Sequence, residues 1–351
     1  MADNRPTADG LSLLQVEHLT TVFDLAEGPA AAVSDVSFHL DAGETLCLVG
    51  ESGSGKTVTA MSILRLVPPP GRVTAGRIVF RGRDLLTLPE HELRRVRGPG
   101  IGLVFQEPAA ALNPVFTIGN QIEETLAVHG LARGAEARAR AIELLEAVRI
   151  PNPTRRVHDY PHQLSGGLRQ RAMIALAICC NPPLLIADEP TTALDVTIQA
   201  EILDLLRGLR DRLGLALLLI THDLGIVAEM ADRVAVMYAG HIVEQSRVRD
   251  IFRDARHPYT RGLLASSPEG RPGTRLAAIP GAVPALGRFP RGCPFNPRCA
   301  ARFEPCDTAL PGLTRLRPTP DNGHPTAGPR ETRCFLYSPA VDPEIVAEDA
   351  R

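Results

Sequence analysis

Residues 44–67, "ETLCLVGESGSGKTVTAMSILRLV", constrain this chain more than any other stretch. Leu46, Cys47, Leu48 and Val49 form a short apolar run, as expected of a buried parallel strand. The next eight residues, "GESGSGKT", fit G-x-x-x-x-G-K-[ST], a phosphate-binding turn between a strand and a helix. They are Gly50, Glu51, Ser52, Gly53, Ser54, Gly55, Lys56 and Thr57. The glycines let the backbone turn tightly, so that its N–H groups face a phosphate, and a helix starting near Lys56 adds its positive N-terminal end. Lys56 brings a mobile point charge to the β- and γ-phosphates, and the Thr57 hydroxyl can ligate Mg²⁺.

A second nucleotide element lies downstream. "PLLIADEP" (183–190) is an apolar strand that ends in two carboxylates. Asp188 is placed to hold Mg²⁺ through water, and Glu189 to polarise an attacking water as general base. Around these elements β-like and helical patterns alternate, as in α/β domains. Cys47 and the pair Cys179–Cys180 sit in apolar runs and are expected to be small buried hydrophobes.

A chain of 351 residues is long for one domain. Fifteen of its 31 prolines follow residue 267, where periodicity fades, so a boundary is expected near Ser266. The 38 basic residues against 40 acidic ones argue against a broad basic face held on nucleic acid. The polar start "MADNRPTADG" shows no leader, and runs such as "LGLALLLI" (213–220) are far short of a membrane span. A cytosolic chain, brought to a membrane only by partners, is the expectation.

Between the two nucleotide elements stands "YPHQLSGGLRQRAMIALAI" (160–178). "LSGGLRQR" resembles the signature motif of ATP-binding-cassette (ABC) ATPases, with Leu168 where Met is common. "LVFQEP" (103–108) resembles their Q-loop, "TTALD" (191–195) their D-loop and "LLITHDL" (218–224) their switch strand. The resemblance runs in complete motif order from residue 12 to about 245. It implies an α/β P-loop NTPase of the ABC type, with a RecA-like core, an antiparallel β subdomain and a helical subdomain over about 107–164. A small Cys-rich C-terminal domain would follow. The ATPase domain would span 12–265 and the extension 266–351.

The resemblance also implies roles. Gln106 would contact Mg²⁺ or the water. Ser165, Gly166 and Gly167 would bind the γ-phosphate of ATP held by the opposite subunit. Asp195 would lie at the dimer interface, His222 would contact the γ-phosphate, and Phe23 in "LTTVFDL" would stack on adenine. With Glu189 and His222 both present, the hydrolytic set is complete, which disfavours a cassette used only for binding. A soluble ABC ATPase of DNA repair or translation would usually carry two cassettes or long inserted arms, and this chain shows neither.

"EPAAALNPVFTIGNQIEE" and "RHPYTRGLLASSP" (256–268) resemble the ATPase subunits of oligopeptide, dipeptide and nickel importers. That subfamily implies a second, non-identical ATPase subunit, two membrane permease subunits and an extracytoplasmic substrate-binding protein. It implies a peripheral place on the cytoplasmic face of the membrane, and peptides as cargo, with nickel or another small solute as the alternative.

The tail holds four cysteines, Cys293, Cys299, Cys306 and Cys334, spaced C-x5-C-x6-C-x27-C. Four thiolates suit zinc or an iron–sulfur cluster. Zinc sites usually pair cysteines at two to four residues, and disulfides are disfavoured in a reducing cytosol. The importer resemblance implies a four-iron four-sulfur cluster that organises residues 280–340, with Zn²⁺ as the alternative.

Overall fold

In the computed structural model every residue of the strand Thr45–Val49 is buried, as its apolar run requires. The structure describes residues 12–192, 194–266, 278–316 and 330–338. The polar N-terminal stretch and residues 267–277, 317–329 and 339–351 of the expected extension lie outside the described residues. The described residues form two units, each built from separated segments of chain.

The first unit comprises 12–14, 40–45 and 79–220. Its sheet runs Ile101–Val104, Leu184–Asp188, Ala216–Thr221, all parallel, with Leu103 beside Ile186 and Ile186 beside Leu218. Leu184–Asp188 is buried throughout, so its five-residue run delivers Asp188 and then Glu189 to the carboxyl end of a parallel sheet. The segment expected to be helical contains Ile118–Val128 and Gly134–Ala147. Thr117 caps the former by accepting from the Asn120 N–H. Ile118, Ile122 and Leu126 of the former and Ala137, Ala141 and Leu145 of the latter are buried, the two helices pack on each other, and Gly166–Ile178 packs on both. The helix Val196–Leu213 buries Ile202, Leu205, Leu206 and Leu209 at helical spacing and stops at Gly214, with φ of 63°.

The second unit comprises 15–39, 46–78 and the described residues from 221 onward. Its central strands Leu46–Val49 and Arg233–Val236 pair in parallel. Arg233–Tyr238 then pairs antiparallel with His241–Arg247, which pairs with Arg330–Thr332, which pairs with Thr314–Leu316. The C-terminal residues therefore extend the same sheet. Tyr238, Tyr259 and Phe295 meet in one aromatic cluster, with ring centroids 4.6 to 5.4 Å apart. Each such pair contributes about 0.5–1.5 kcal/mol beyond its area. Among the described residues, no helix is long and apolar enough to cross a membrane.

Two buried histidines make this unit sensitive to acid. Burial, reinforced by Arg333 and opposed by Asp35, lowers His241 to about 4. Burial and Arg261 lower His257 to about 3. His257 Nδ1 accepts the Tyr259 N–H at 3.1 Å, so it sits neutral. In the unfolded chain both histidines titrate at about 6.5. Below that pH the unfolded state takes up protons that the folded state refuses. Stability should therefore fall as pH drops from about 6.5 to about 4, and further towards 3 for His257. Urea unfolding across this range should show the loss, and His241→Asn should flatten part of it. An unchanged slope in that variant would contradict a buried neutral His241.

Candidate nucleotide site

The phosphate loop, Phe23 and His222 belong to the second unit, while Gln106, the signature, Asp188, Glu189 and Asp195 belong to the first. The loop is built as its residue types require. Gly53 and Gly55 hold φ of 80° and 103°, and the helix Lys56–Ile63 starts directly after them. A Cβ on Gly50 would stand 2.2 Å from the Met237 carbonyl oxygen, and one on Gly55 2.6 Å from that of Ala32. Only glycine lets these backbones approach so closely. Lys56 Nζ donates to the carbonyls of Gly50 at 2.8 Å and Glu51 at 3.0 Å, which curls the loop around its own ammonium. Ser52 and Gly53 are exposed, Ser54 is buried and Thr57 is half-buried on the first turn of the helix.

Phe23 is half-buried near the end of Leu14–Leu25, with its ring edge against Gly71, where a Cβ would come within 2.6 Å. His222 is exposed and directly follows the strand Ala216–Thr221. Asp223 then caps Leu224–Met230, its Oδ1 accepting the Gly225 N–H at 2.8 Å.

In the first unit the two carboxylates part company. Asp188 is 4% exposed at the strand's last position. Glu189 is half-buried and takes φ of 44°, a left-handed conformation that a non-glycine residue adopts at a cost of about 1–3 kcal/mol. That bend is held by its N–H donating to the Ile220 carbonyl at 2.9 Å. Two neutral donors share Glu189 Oε2: the Gln106 amide at 3.0 Å and the Thr192 hydroxyl at 2.8 Å. Donors of this kind orient a carboxylate without neutralising it.

The signature starts the helix Gly166–Ile178, capped by Ser165, whose Oγ accepts the Leu168 N–H at 3.4 Å. Ser165 and Gly166 are exposed. Gly167 packs close to Ile198, where a Cβ would come within 2.8 Å, so the signature and the segment after the D-loop touch. Asp195 caps Val196–Leu213 by accepting the Ile198 N–H at 3.0 Å and is itself exposed.

All seven cysteines are outside disulfides. Cys47, Cys179 and Cys180 are buried, as their apolar runs imply. Cys293, Cys299, Cys306 and Cys334 line one small cavity with Phe295 and Phe303. The Cys293 N–H donates to the Cys306 carbonyl at 2.8 Å, which locks the first and third together. Burial pushes Cys293 up to about 11 and Cys334 up to about 12, and raises Cys299. Thiolates there need a cation to offset their desolvation. Among the described residues, however, no three His, Cys, Asp or Glu side chains stand close enough to hold a single metal ion.

Three residues around the loop escaped the sequence reading. The Tyr259 hydroxyl accepts the Glu51 N–H at 2.9 Å. Arg298 holds the Glu51 carboxylate at 2.7 Å. Glu244, fully buried, accepts the N–H groups of Arg256 and His257 at 2.8 Å each and so fixes the turn that presents Tyr259. The stretch "RHPYTRGLLASSP" was the available signal, but sequence gives no hint that it reaches a loop some 200 positions earlier.

Comparison with known proteins places this architecture. The ABC transporter family model matches residues 33–192, and the oligopeptide/dipeptide transporter C-terminal region matches 243–306. A putative peptide import ATP-binding protein of Brucella abortus (strain 2308) is 52% identical over 317 residues, covering 87% of this chain and 94% of that protein. The oligopeptide transport ATP-binding protein of Bacillus subtilis (strain 168) is 53% identical over 286 residues, covering 81% and 80%. An ATP-binding cassette solved as a dimer bound to ADP and Pi superposes with a TM-score of 0.60 at 30% identity, over 67% of this chain and 99% of that one. With the phosphate loop, the Gln106–Glu189 pair and the signature helix in place, this chain belongs to the ABC ATPases and, within them, to the peptide-import ATP-binding proteins.

Proposed function

We propose that this chain is the ATP-hydrolysing subunit that powers import of di- or oligopeptides through a membrane ABC transporter. The observation that carries this reading is the match, at 52–53% identity over most of their length, to relatives named for peptide import and oligopeptide transport. The division into an ATPase domain, 12–265, and an extension, 266–351, is part of the proposal.

ATP would bind at the phosphate loop, with Lys56 and the backbone N–H groups of 51–57 on its phosphates and Phe23 against its base. Thr57, Gln106 and Asp188 offer only hard oxygen ligands, the set Mg²⁺ prefers, and that ion would offset phosphate charge. Glu189, fixed by Gln106 and Thr192, would accept a proton from the attacking water, and His222 would contact the γ-phosphate. Ser165, Gly166 and Gly167 would meet the γ-phosphate of a second ATPase subunit, with Asp195 at the interface. That reading is supported by the exposure of the signature and by the dimeric, nucleotide-bound relative. Val115 and Phe116, 70% and 46% exposed at the edge of the helical segment, suit docking against one of two permease subunits at the cytoplasmic face. A substrate-binding protein outside the membrane would complete the importer.

The four tail cysteines would hold a four-iron four-sulfur cluster. What supports a shared ligand is the one cavity that the four thiols line, with Zn²⁺ as the alternative. The cluster's iron would supply the positive charge that buried thiolates lack, and would staple a tail poor in apolar residues.

Glu189→Gln keeps the shape and removes the proton acceptor. Turnover should fall about two to four decades while ATP still binds, and near-normal hydrolysis would remove Glu189 from this role. Gly166→Asp meets only Leu194 in its own chain, at 3.7 Å from the new Cβ, so the variant should fold and bind ATP. Facing a partner's γ-phosphate, its carboxylate should block ATP-dependent dimerisation. ATP-dependent dimerisation by this variant would contradict action across an interface. Anaerobic purification with iron, sulfide and zinc analysis decides the tail: one zinc without iron, or free thiols without metal, would each rule out the cluster.

A further inference from the structure

Arg298 stands one residue before Cys299, on the 3-10 turn Asn296–Arg298, and its guanidinium reaches the phosphate loop. Nη1 donates to Glu51 Oε2 at 2.7 Å and Nη2 to Oε1 at 3.1 Å. These parallel bonds form the bidentate pairing that a lysine ammonium cannot reproduce. Nε donates to the Pro280 carbonyl at 2.9 Å, and the guanidinium carbon lies 5.8 Å from the Tyr238 ring centroid and 6.0 Å from that of Phe295. The Arg298 side chain is 4% exposed and that of Glu51 31%.

The turn does not need this arginine to stay in place. Phe295 sits in the aromatic cluster, and the Asn296 side chain donates to the carbonyls of Arg291 at 2.9 Å and Cys306 at 3.2 Å. What Arg298 adds is a grip on Glu51, the second residue of the loop. The Glu51 N–H is held by Tyr259, and its carbonyl accepts from Lys56 Nζ and from the Ser54 N–H at 3.2 Å. The side chain that Arg298 holds thus belongs to the residue whose backbone helps to set the phosphate-binding lysine.

We infer that Arg298 is a positioning residue for ATP: through Glu51 it fixes the phosphate loop, so the cysteine segment 293–299 sets the affinity of the nucleotide site. The inference rests on reading "GESGSGKT" as the ATP site. It does not depend on which metal, if any, the cysteines hold. If the carboxylate swings free, the Glu51 carbonyl and the N–H groups beside it lose their fixed direction, and ATP must restore that order on binding.

The test measures ATP affinity of the full chain by titration with a fluorescent ATP analogue, alongside melting temperature and the KM and kcat of hydrolysis. Arg298→Met should weaken ATP binding about tenfold, or about 1.4 kcal/mol, with KM rising more than kcat falls. Arg298→Lys should recover part of that loss. Arg302→Gln, which removes an exposed pair with Asp307 just beyond that segment, should leave ATP affinity as it was. If Arg298→Met does not fold, Glu51→Gln keeps the acceptor oxygen without the charge and should weaken binding likewise. A folded Arg298→Met or Glu51→Gln that binds ATP within about twofold of the parent overturns the inference. Lys56→Ala separates the two readings: if it leaves ATP binding intact, the loop is not the ATP site and the fault lies there.

Discussion

The close approach of the phosphate loop to backbone on three sides governs the unit that carries it. Leu46–Val49 runs in register with Arg233–Val236, so the chain leaves its strand directly beside Met237. Gly50 lies against the Met237 carbonyl, Gly55 against that of Ala32, and the Gly240 N–H donates to the Ser54 carbonyl at 2.9 Å. Backbone from the strand Gly28–Leu40, from Met237 on a central strand and from the turn at Gly240 therefore shapes the loop. A side chain on either glycine would separate these walls, and the sheet would lose register with the loop. Fold and site are here the same constraint, since the contacts that close the core also aim the N–H groups.

That explains which parts the sequence made legible. Glycines at fixed spacing, a lysine and a threonine are required by local geometry, and local geometry is written in consecutive residues. The loop, the strand ending in Asp188 and the capped signature helix could all be read for that reason. The structure adds that Ser165 and Asp195 cap their helices, roles the residue types suit. The left-handed φ at Glu189 could not be read, because an ordinary glutamate shows no preference for it and the bond to Ile220 that holds it is tertiary. The same is true of Tyr259, Glu244 and Arg298, whose partners lie 208, 12 or 13, and 247 positions away. Phe23 is half-buried and packs its ring edge on Gly71, a tertiary contact that its place in the sequence does not announce.

The C-terminal residues show how a segment with few apolar side chains is held. Phe295 is its one large anchor in the aromatic cluster, and much of the remaining hold comes from arginines. Arg333, 5% exposed, donates to the Ile242 carbonyl at 3.2 Å and to the Asp35 carboxylate at 2.9 Å. Arg330 reaches Asp254 and lies 3.8 Å from the buried Glu244. Each guanidinium spans several acceptors at once, which fixes direction where a greasy contact would not. The strand Arg330–Thr332 then places Cys334 beside a cavity whose other three thiols come from 293–306.

The Arg298–Glu51 pair shares the unequal burial of these struts, 5% against 48% for Arg333–Asp35 and 7% against 39% for Arg330–Asp254, and differs in ending on the phosphate loop. The guanidinium is nearly dry at 4% exposure, while the carboxylate keeps 31% of its surface in water. Removing the carboxylate would strand a buried cation, a loss of about 3–5 kcal/mol when burial is complete and less here because the carboxylate end is wet. Removing the guanidinium leaves a carboxylate that water can still solvate, so that loss falls less on the fold and more on the direction in which Glu51 points. Because Glu51 is also gripped at its N–H by Tyr259 and at its carbonyl by Lys56, the Arg298 contact removes the last freedom the residue has.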